Sequence, residues 1–165
     1  MSSVSKTSQR RLRHASGYIG LGMWAEADRE LATIPAEEQG AEAVLAVRTD
    51  RHLEAKEWER LVAVAEELTR CHPTCEQGWI HRAFALRELQ RIAEAKAVLL
   101  EAEPLHGRTS GVLHYNLACY HCLLGERPEA RRRFRRACQM NPEWKESALQ
   151  DSDLAALHAE IRRME

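Results

Sequence analysis

Small and apolar residues recur along this chain with a period close to 34 residues. One such position repeats at spacings of 34, 34 and 35, an apolar residue follows each four positions later, and a proline falls near the end of each unit. Residues four positions apart share a helix face and proline ends a helix, so each unit predicts a helical hairpin. The recurring positions are Ala27, Leu61, Ala95 and Ala130; the residues after them are Leu31, Ala65, Leu99 and Phe134; the prolines are Pro35, Pro73, Pro104 and Pro142.

The pattern predicts four hairpins and one further helix. A stripe of Leu154, Leu157, Ile161 and Met164, spaced by three and four residues, predicts an amphipathic helix over about 152–163 that caps the last hairpin. A helix that joins two copies of the chain is the alternative for this segment. The predicted helix pairs are about 6–22 with 24–34, 41–54 with 57–71, 75–89 with 91–103, and 110–124 with 127–140.

Each hairpin leaves an apolar face that a neighbouring hairpin must cover, which favours a stacked array. The fourth unit has the fullest set of repeat positions, including Tyr115, Gly125, Ala130 and Phe134. Through these positions the sequence resembles the tetratricopeptide repeat family over residues 8–142. The resemblance implies an all-α, right-handed solenoid in one domain over residues 1–165, with repeats at about 8–35, 42–73, 76–104 and 111–142. Residues 148–154 resemble the ends of small stand-alone bacterial proteins of this kind.

Composition agrees with a helical interaction protein and argues against several other classes. Hydrophobic residues make up 44% and charged residues 30%, which is too apolar for a disordered chain. The net charge of -1 argues against a nucleic-acid binder. No apolar run is long enough to cross a membrane. Five cysteines, an odd number, do not form a secreted disulfide framework, so we expect a cytoplasmic protein with reduced thiols.

The resemblance places function on the first helix of each hairpin. In this family those helices line a concave groove that binds a peptide or a helix of a partner protein, so we expect an interaction scaffold or adaptor that is a monomer or a weak homodimer. Phe84 and Tyr115 are predicted as apolar anchors. Asp50 stands where a chaperone-type carboxylate clamp needs a donor, which argues against that subtype. The predicted groove residues are Arg13, Asp50, Gln77, His81, Phe84, Arg87, Val112, Tyr115, Asn116 and Cys119.

Three other functions compete with groove binding. A secretion-type chaperone would be similarly short, although such chaperones tend to be acidic. The arginine run at 131–136 predicts a convex basic patch that is either a solvated helix face or a binding site for an anionic ligand. Zinc would need Cys71 and Cys75 to meet Cys119 and Cys122, about a repeat away, so no metal or other cofactor is expected.

Catalysis has no support in the sequence motifs. The chain has no glycine-rich phosphate loop, no HExxH metal motif and no nucleophile elbow. His81, His114 and His121 would need an orienting partner within a defined cleft before they could act with a cysteine. We therefore expect no enzyme activity.

Overall fold

The structure, a computed structural model, describes residues 4–164 and divides the chain into two compact units that meet in sequence at Leu89 and Gln90. Unit 1 holds α1 (Lys6–Gly20), α2 (Trp24–Ala32), a 3₁₀ turn (Ala36–Glu38), α3 (Glu42–Glu54), α4 (Trp58–Cys71) and α5 (Glu76–Glu88). Unit 2 holds α6 (Ile92–His106), α7 (Gly111–Leu123), α8 (Arg127–Met140), α9 (Trp144–Gln150), a 3₁₀ helix (Ser152–Leu157) and α10 (His158–Ile161). The grouping of the four repeats into one domain stays a prediction.

Unit 1 is built from helical hairpins whose first helices are neighbours. Helix α1 packs on α2 and α3 on α4, while α3 also contacts α1 on one side and α5 on the other. The recurring residues Ala27, Leu61 and Ala65 are fully buried in the helix contacts, and two of the three are alanines. Small side chains let the helix axes approach closely, which explains why the period of the sequence is also the period of the packing.

The turns that follow α1, α3, α5 and α7 each have one residue with a left-handed backbone, and these residues recur with the period of the sequence. Their φ angles are +69° at Gly22, +54° at Lys56, +62° at Gln90 and +78° at Gly125. Glycine adopts this conformation without the steric cost that a Cβ atom brings. Lys56 and Gln90 therefore hold a strained backbone at the position where the other two repeats have glycine.

Replacing Lys56 by glycine should stabilise the protein. Lys56 is exposed, so the change removes mainly backbone strain, and we expect a gain of about 0.5–1 kcal/mol in the free energy of unfolding. Urea denaturation measures it. Ala63→Gly, at an exposed position inside α4, is the control and should cost about 1 kcal/mol. Destabilisation by both variants would contradict the left-handed turn.

Unit 2 shows three departures from the predicted helices, one of which is α9 at Trp144–Gln150, a stretch that no predicted helix covers. Helix α6 does not stop before Pro104 but continues to His106. Proline in the last turn removes only its own N–H bond to the carbonyl four residues earlier, so the helix tolerates it there.

The predicted single helix over 152–163 is wrong: residues Ser152–Leu157 form a 3₁₀ helix and only His158–Ile161 are α-helical. The Asp151 side chain accepts a hydrogen bond from the N–H of Asp153 at 2.9 Å, which starts the tighter turn. A 3₁₀ helix has three residues per turn, so Leu154 and Leu157 still point the same way, and both are buried.

Candidate functional site

A cluster of polar side chains joins the first helices α3 and α5 of unit 1. Gln77 Nε2 lies 2.7 Å from Asp50 Oδ1 and 3.2 Å from both Thr49 Oγ1 and the carbonyl of Ala46. His81 Nδ1 lies 3.2 Å from the same Thr49 hydroxyl. We call Thr49, Asp50, Gln77 and His81 the polar cluster. The structure therefore brings together three of the predicted groove residues: Asp50, Gln77 and His81.

The hydrogen bonds determine how His81 is protonated. The Thr49 hydroxyl donates to the carbonyl of Ala46 at 2.7 Å, so its oxygen accepts from His81 Nδ1. His81 then carries its proton on Nδ1 in the neutral form, and burial lowers the pKa of His81, which keeps the ring neutral. A neutral ring leaves the negative charge of Asp50 uncompensated within the cluster.

Asp50 is the charged group of the cluster that remains open to a ligand. Its side chain is 47% exposed, and Gln77 donates to only one of its two carboxylate oxygens. Partial burial and the nearby charge of Glu54 raise the pKa of Asp50 to about 6. A cation placed against this carboxylate would relieve both effects.

An aromatic pair stands next to the cluster. Phe84 follows His81 by three residues on α5, which places both on one helix face, and 38% of Phe84 is exposed. The Phe84 ring meets the ring of Trp58 edge to face, with centroids 5.9 Å apart. The pair adds an exposed apolar surface on the face of α5 that carries His81.

Asp50→Asn should raise the melting temperature at about pH 7.5, and the gain should vanish near pH 4. The folded pKa of about 6 lies above the ordinary value of 3.8, so the ionised carboxylate destabilises the fold above pH 6 and loses this effect as pH falls. Asparagine keeps the oxygen that accepts from Gln77. Thermal melts across this pH range are the measurement, and a lower melting temperature at pH 7.5 would contradict the raised pKa.

In unit 2 the expectation of an exposed aromatic anchor is wrong. Tyr115 is buried: its ring lies 4.6 Å from that of Trp144, and its hydroxyl donates to Asp151 Oδ2 at 2.8 Å. Cys119 is buried beside the same carboxylate, with its Sγ 3.7 Å from Oδ2. Burial raises the pKa of both groups, so neither ionises at neutral pH. The residues from Trp144 to Leu157, which do not belong to a repeat, cover this face of α7.

The remaining predicted groove residues are dispersed. Arg13 is exposed on α1, and Arg87 is half-buried on α5, where its guanidinium pairs with Glu88 at 2.7 Å. Val112 and Asn116 are half-buried on α7. These four positions do not join the polar cluster through any of the hydrogen bonds described above.

Sequence reasoning missed three residues that matter at the polar cluster of unit 1 and at the buried face of α7 in unit 2. Trp58 opens α4 and supports Phe84, and Glu54 follows Asp50 by one helical turn. Spacing along the helix is a signal that could have identified Glu54. Asp151 accepts a hydrogen bond from Tyr115 across 36 residues, and no local pattern indicates that contact.

The cysteines and histidines are arranged as ordinary core and surface groups. Within residues 4–164, no set of three or more His, Cys, Asp or Glu side chains is placed to hold a metal ion. His114 Nε2 lies 2.8 Å from the carbonyl of Gly107, and His121 Nδ1 lies 2.5 Å from Glu126. Along the same described stretch, every helix is too short or too polar to traverse a lipid bilayer.

Paired antiparallel helices with a 34-residue register define the fold of tetratricopeptide repeat proteins. Neither a protein-family model nor a curated protein matches the sequence. Among solved structures, the chain is similar to MamA (41-end) from Desulfovibrio magneticus RS-1, with a TM-score of 0.76 and 15% identity over 98% of this chain and 94% of that one. It is also similar to TTC0263, a thermophilic TPR protein of Thermus thermophilus, with a TM-score of 0.72 and 21% identity over 94% and 84% of the two chains.

A further MamA structure, from MSR-1, has a TM-score of 0.68 and 18% identity over 82% of this chain and 78% of that one. The chain therefore has the all-α solenoid fold of tetratricopeptide repeat proteins, as its sequence pattern predicts. At these identities the likeness concerns the fold.

Proposed function

We propose that the protein is a non-enzymatic interaction scaffold that binds an extended segment of a partner protein at the polar cluster of unit 1. The partner places a lysine or arginine against Asp50 and an apolar side chain against Phe84 and Trp58. The observation that carries the proposal is the half-exposed, incompletely bonded carboxylate of Asp50 in the polar cluster, together with the exposed ring of Phe84 on the same face of α5 as His81.

The chemistry of the cluster selects a basic segment. Asp50 and Glu54 are both acidic, and neutral His81 adds no charge that would attract an acidic partner. A basic side chain at Asp50 gains a charge-assisted hydrogen bond and lowers the cost of keeping this carboxylate ionised. Gln77 fixes the orientation of the carboxylate before the ligand arrives, which reduces the entropy lost on binding.

The apolar half of the site is the Phe84–Trp58 pair. Aromatic rings held by their neighbours are the anchors that dominate the energy of many interfaces. Because Trp58 already restricts Phe84, contact with the ring costs little side-chain entropy. A peptide with a basic residue and an apolar residue a few positions apart fits both halves.

Selection of a random displayed peptide library on the wild-type protein tests the proposal. We expect enriched peptides to combine a lysine or arginine with an apolar residue. Asp50→Asn should lower the affinity for the selected peptide about tenfold, and Phe84→Ala should lower it about thirtyfold.

Matched controls separate the site from the general surface. Glu67→Gln removes one exposed acid from α4, and Leu100→Ala truncates a side chain that is as exposed as Phe84. Both should change affinity less than twofold, roughly the scatter of surface substitutions. Enrichment of acidic peptides, or equal affinity for the Asp50 and Glu67 variants, would contradict the proposal.

A further inference from the structure

Unit 2 contains an arginine-lined cleft that the proposed function does not use. The cleft has a volume of about 860 Å³ and lies between the end of α6, the start of α7 and the length of α8. It is within the size range of sites for small molecules. The arginines that line it are Arg108, Arg131, Arg132, Arg133, Arg135 and Arg136.

Half of these arginines are neutralised by carboxylates of unit 2. Arg133 is buried and binds Glu103 and Glu129, Arg132 binds Glu129, and Arg131 binds Glu160 at 2.5 Å. The guanidinium of Arg132 holds the pKa of Glu129 at about 2, and the other two carboxyls have lowered pKa values because they too accept hydrogen bonds from arginines. All three acids are therefore charged at neutral pH, and they orient the arginines they bind.

The other half have no carboxylate partner in the part of the chain that the structure describes. Arg108 and Arg135 are exposed, with no hydrogen bond or ion pair to another described residue, and Arg136 contacts only the amide oxygen of Gln139 at 3.4 Å. None of these three guanidinium groups is bound by a carboxylate within residues 4–164, although Arg135 lies near enough to Glu160 to help lower the pKa of that carboxyl. Such a concentration of arginines around one recess is unusual in a chain whose net charge is -1.

We propose that this cleft binds a small molecule that carries a di- or triphosphate group. Each guanidinium offers a planar pair of donors that matches two phosphate oxygens. A triphosphate concentrates three or more negative charges in a chain short enough to meet Arg108, Arg135 and Arg136 together, whereas an acidic peptide spreads one charge over each residue. The recess and the near-neutral net charge also fit a compact ligand better than a nucleic-acid duplex, which needs an extended basic surface.

Isothermal titration calorimetry of the full chain with inorganic tripolyphosphate tests the site. We expect saturable binding with one ligand per chain at about 50 mM salt, and weaker binding at about 200 mM salt. The variant Arg108→Ala with Arg135→Ala should weaken it about tenfold or more, because each change removes a charge-assisted contact. Neither side chain makes a hydrogen bond or ion pair with another described residue, so the variant should remain folded.

The control variant is Arg10→Ala with Arg70→Ala, which removes the same charge from exposed positions of unit 1. It should bind tripolyphosphate as the wild type does, to within about twofold. A third variant, Arg108→Lys with Arg135→Lys, keeps both positive charges but loses the paired donors of the guanidinium groups. Its affinity for tripolyphosphate should lie between those of the two alanine variants. Equal weakening by both alanine variants, or no saturable heat with wild type, would overturn the proposal.

ATP distinguishes the source of the phosphate chemistry, and two other polyanions test the selectivity of the cleft. Tighter binding of ATP than of tripolyphosphate would support the site and assign the ligand to the nucleotides, and equal binding would support a free polyphosphate. A polyglutamate peptide or a DNA duplex that binds the cleft more tightly than tripolyphosphate would overturn it.

Discussion

Ala130→Asp should destabilise the protein by about 3 kcal/mol or more, which is a large share of the stability of a domain this size. Ala130 is fully buried on α8, where α7 and α8 pack together. A carboxylate at this position would lie inside a helix contact that the native sequence fills with a methyl group, and its burial is costly. Urea denaturation followed by circular dichroism gives the free energy of unfolding.

Ala97→Asp is the matched control for this prediction. Ala97 lies on α6, also in unit 2, and its side chain is exposed. The aspartate there should cost about 0.5 kcal/mol, the difference in helix propensity between the two residues. If Ala130→Asp left the free energy of unfolding unchanged, this result would contradict the 34-residue register.

Leu154→Ala should destabilise unit 2 by about 3 kcal/mol and make Cys119 reactive. Leu154 is fully buried in the 3₁₀ helix that packs on α7, so its truncation leaves a cavity and loosens the segment that covers Cys119. If the segment then opens locally, alkylation of Cys119 should accelerate about a hundredfold, since each 1.4 kcal/mol changes an equilibrium about tenfold. Mass spectrometry of alkylated peptides measures this cysteine separately from the other four.

Leu105→Ala provides the comparison within the same unit. Leu105 is 54% exposed near the end of α6, so its truncation should change neither stability nor the alkylation rate by more than the ordinary effect of a surface substitution. If Leu154→Ala lowers stability but Cys119 stays unreactive, the C-terminal segment does not protect this face of α7 from solvent.

The sequence alone was sufficient to predict the helices of the repeats, because the apolar spacing and the prolines that indicate them are local and recur in each repeat. Helices predicted at about 41–54 and 57–71 are observed at Glu42–Glu54 and Trp58–Cys71. The left-handed turn at Lys56 was not predictable by residue type, since lysine there gives none of the signal that glycine gives at Gly22. Its position follows from the period alone.

The candidate site was predictable in part. The period places Asp50 and Gln77 on first helices, and the structure adds the hydrogen bond that joins them. The burial of Tyr115 was not predictable, because it depends on Trp144 and Asp151 in a segment that does not repeat. A repeat pattern describes the contacts that each unit shares with the others, and this contact is unique to the last hairpin.

The pH dependence of peptide affinity tests most directly whether Asp50 holds the basic residue of the partner. The selected peptide should bind the wild type about tenfold more weakly at pH 5 than at pH 7, because Asp50, with a pKa of about 6, must lose its proton to bind a cation. Asp50→Asn should bind weakly at both pH values with no such change. An affinity that does not fall between pH 7 and pH 5, or that falls equally in the Asp50→Asn variant, would contradict the account.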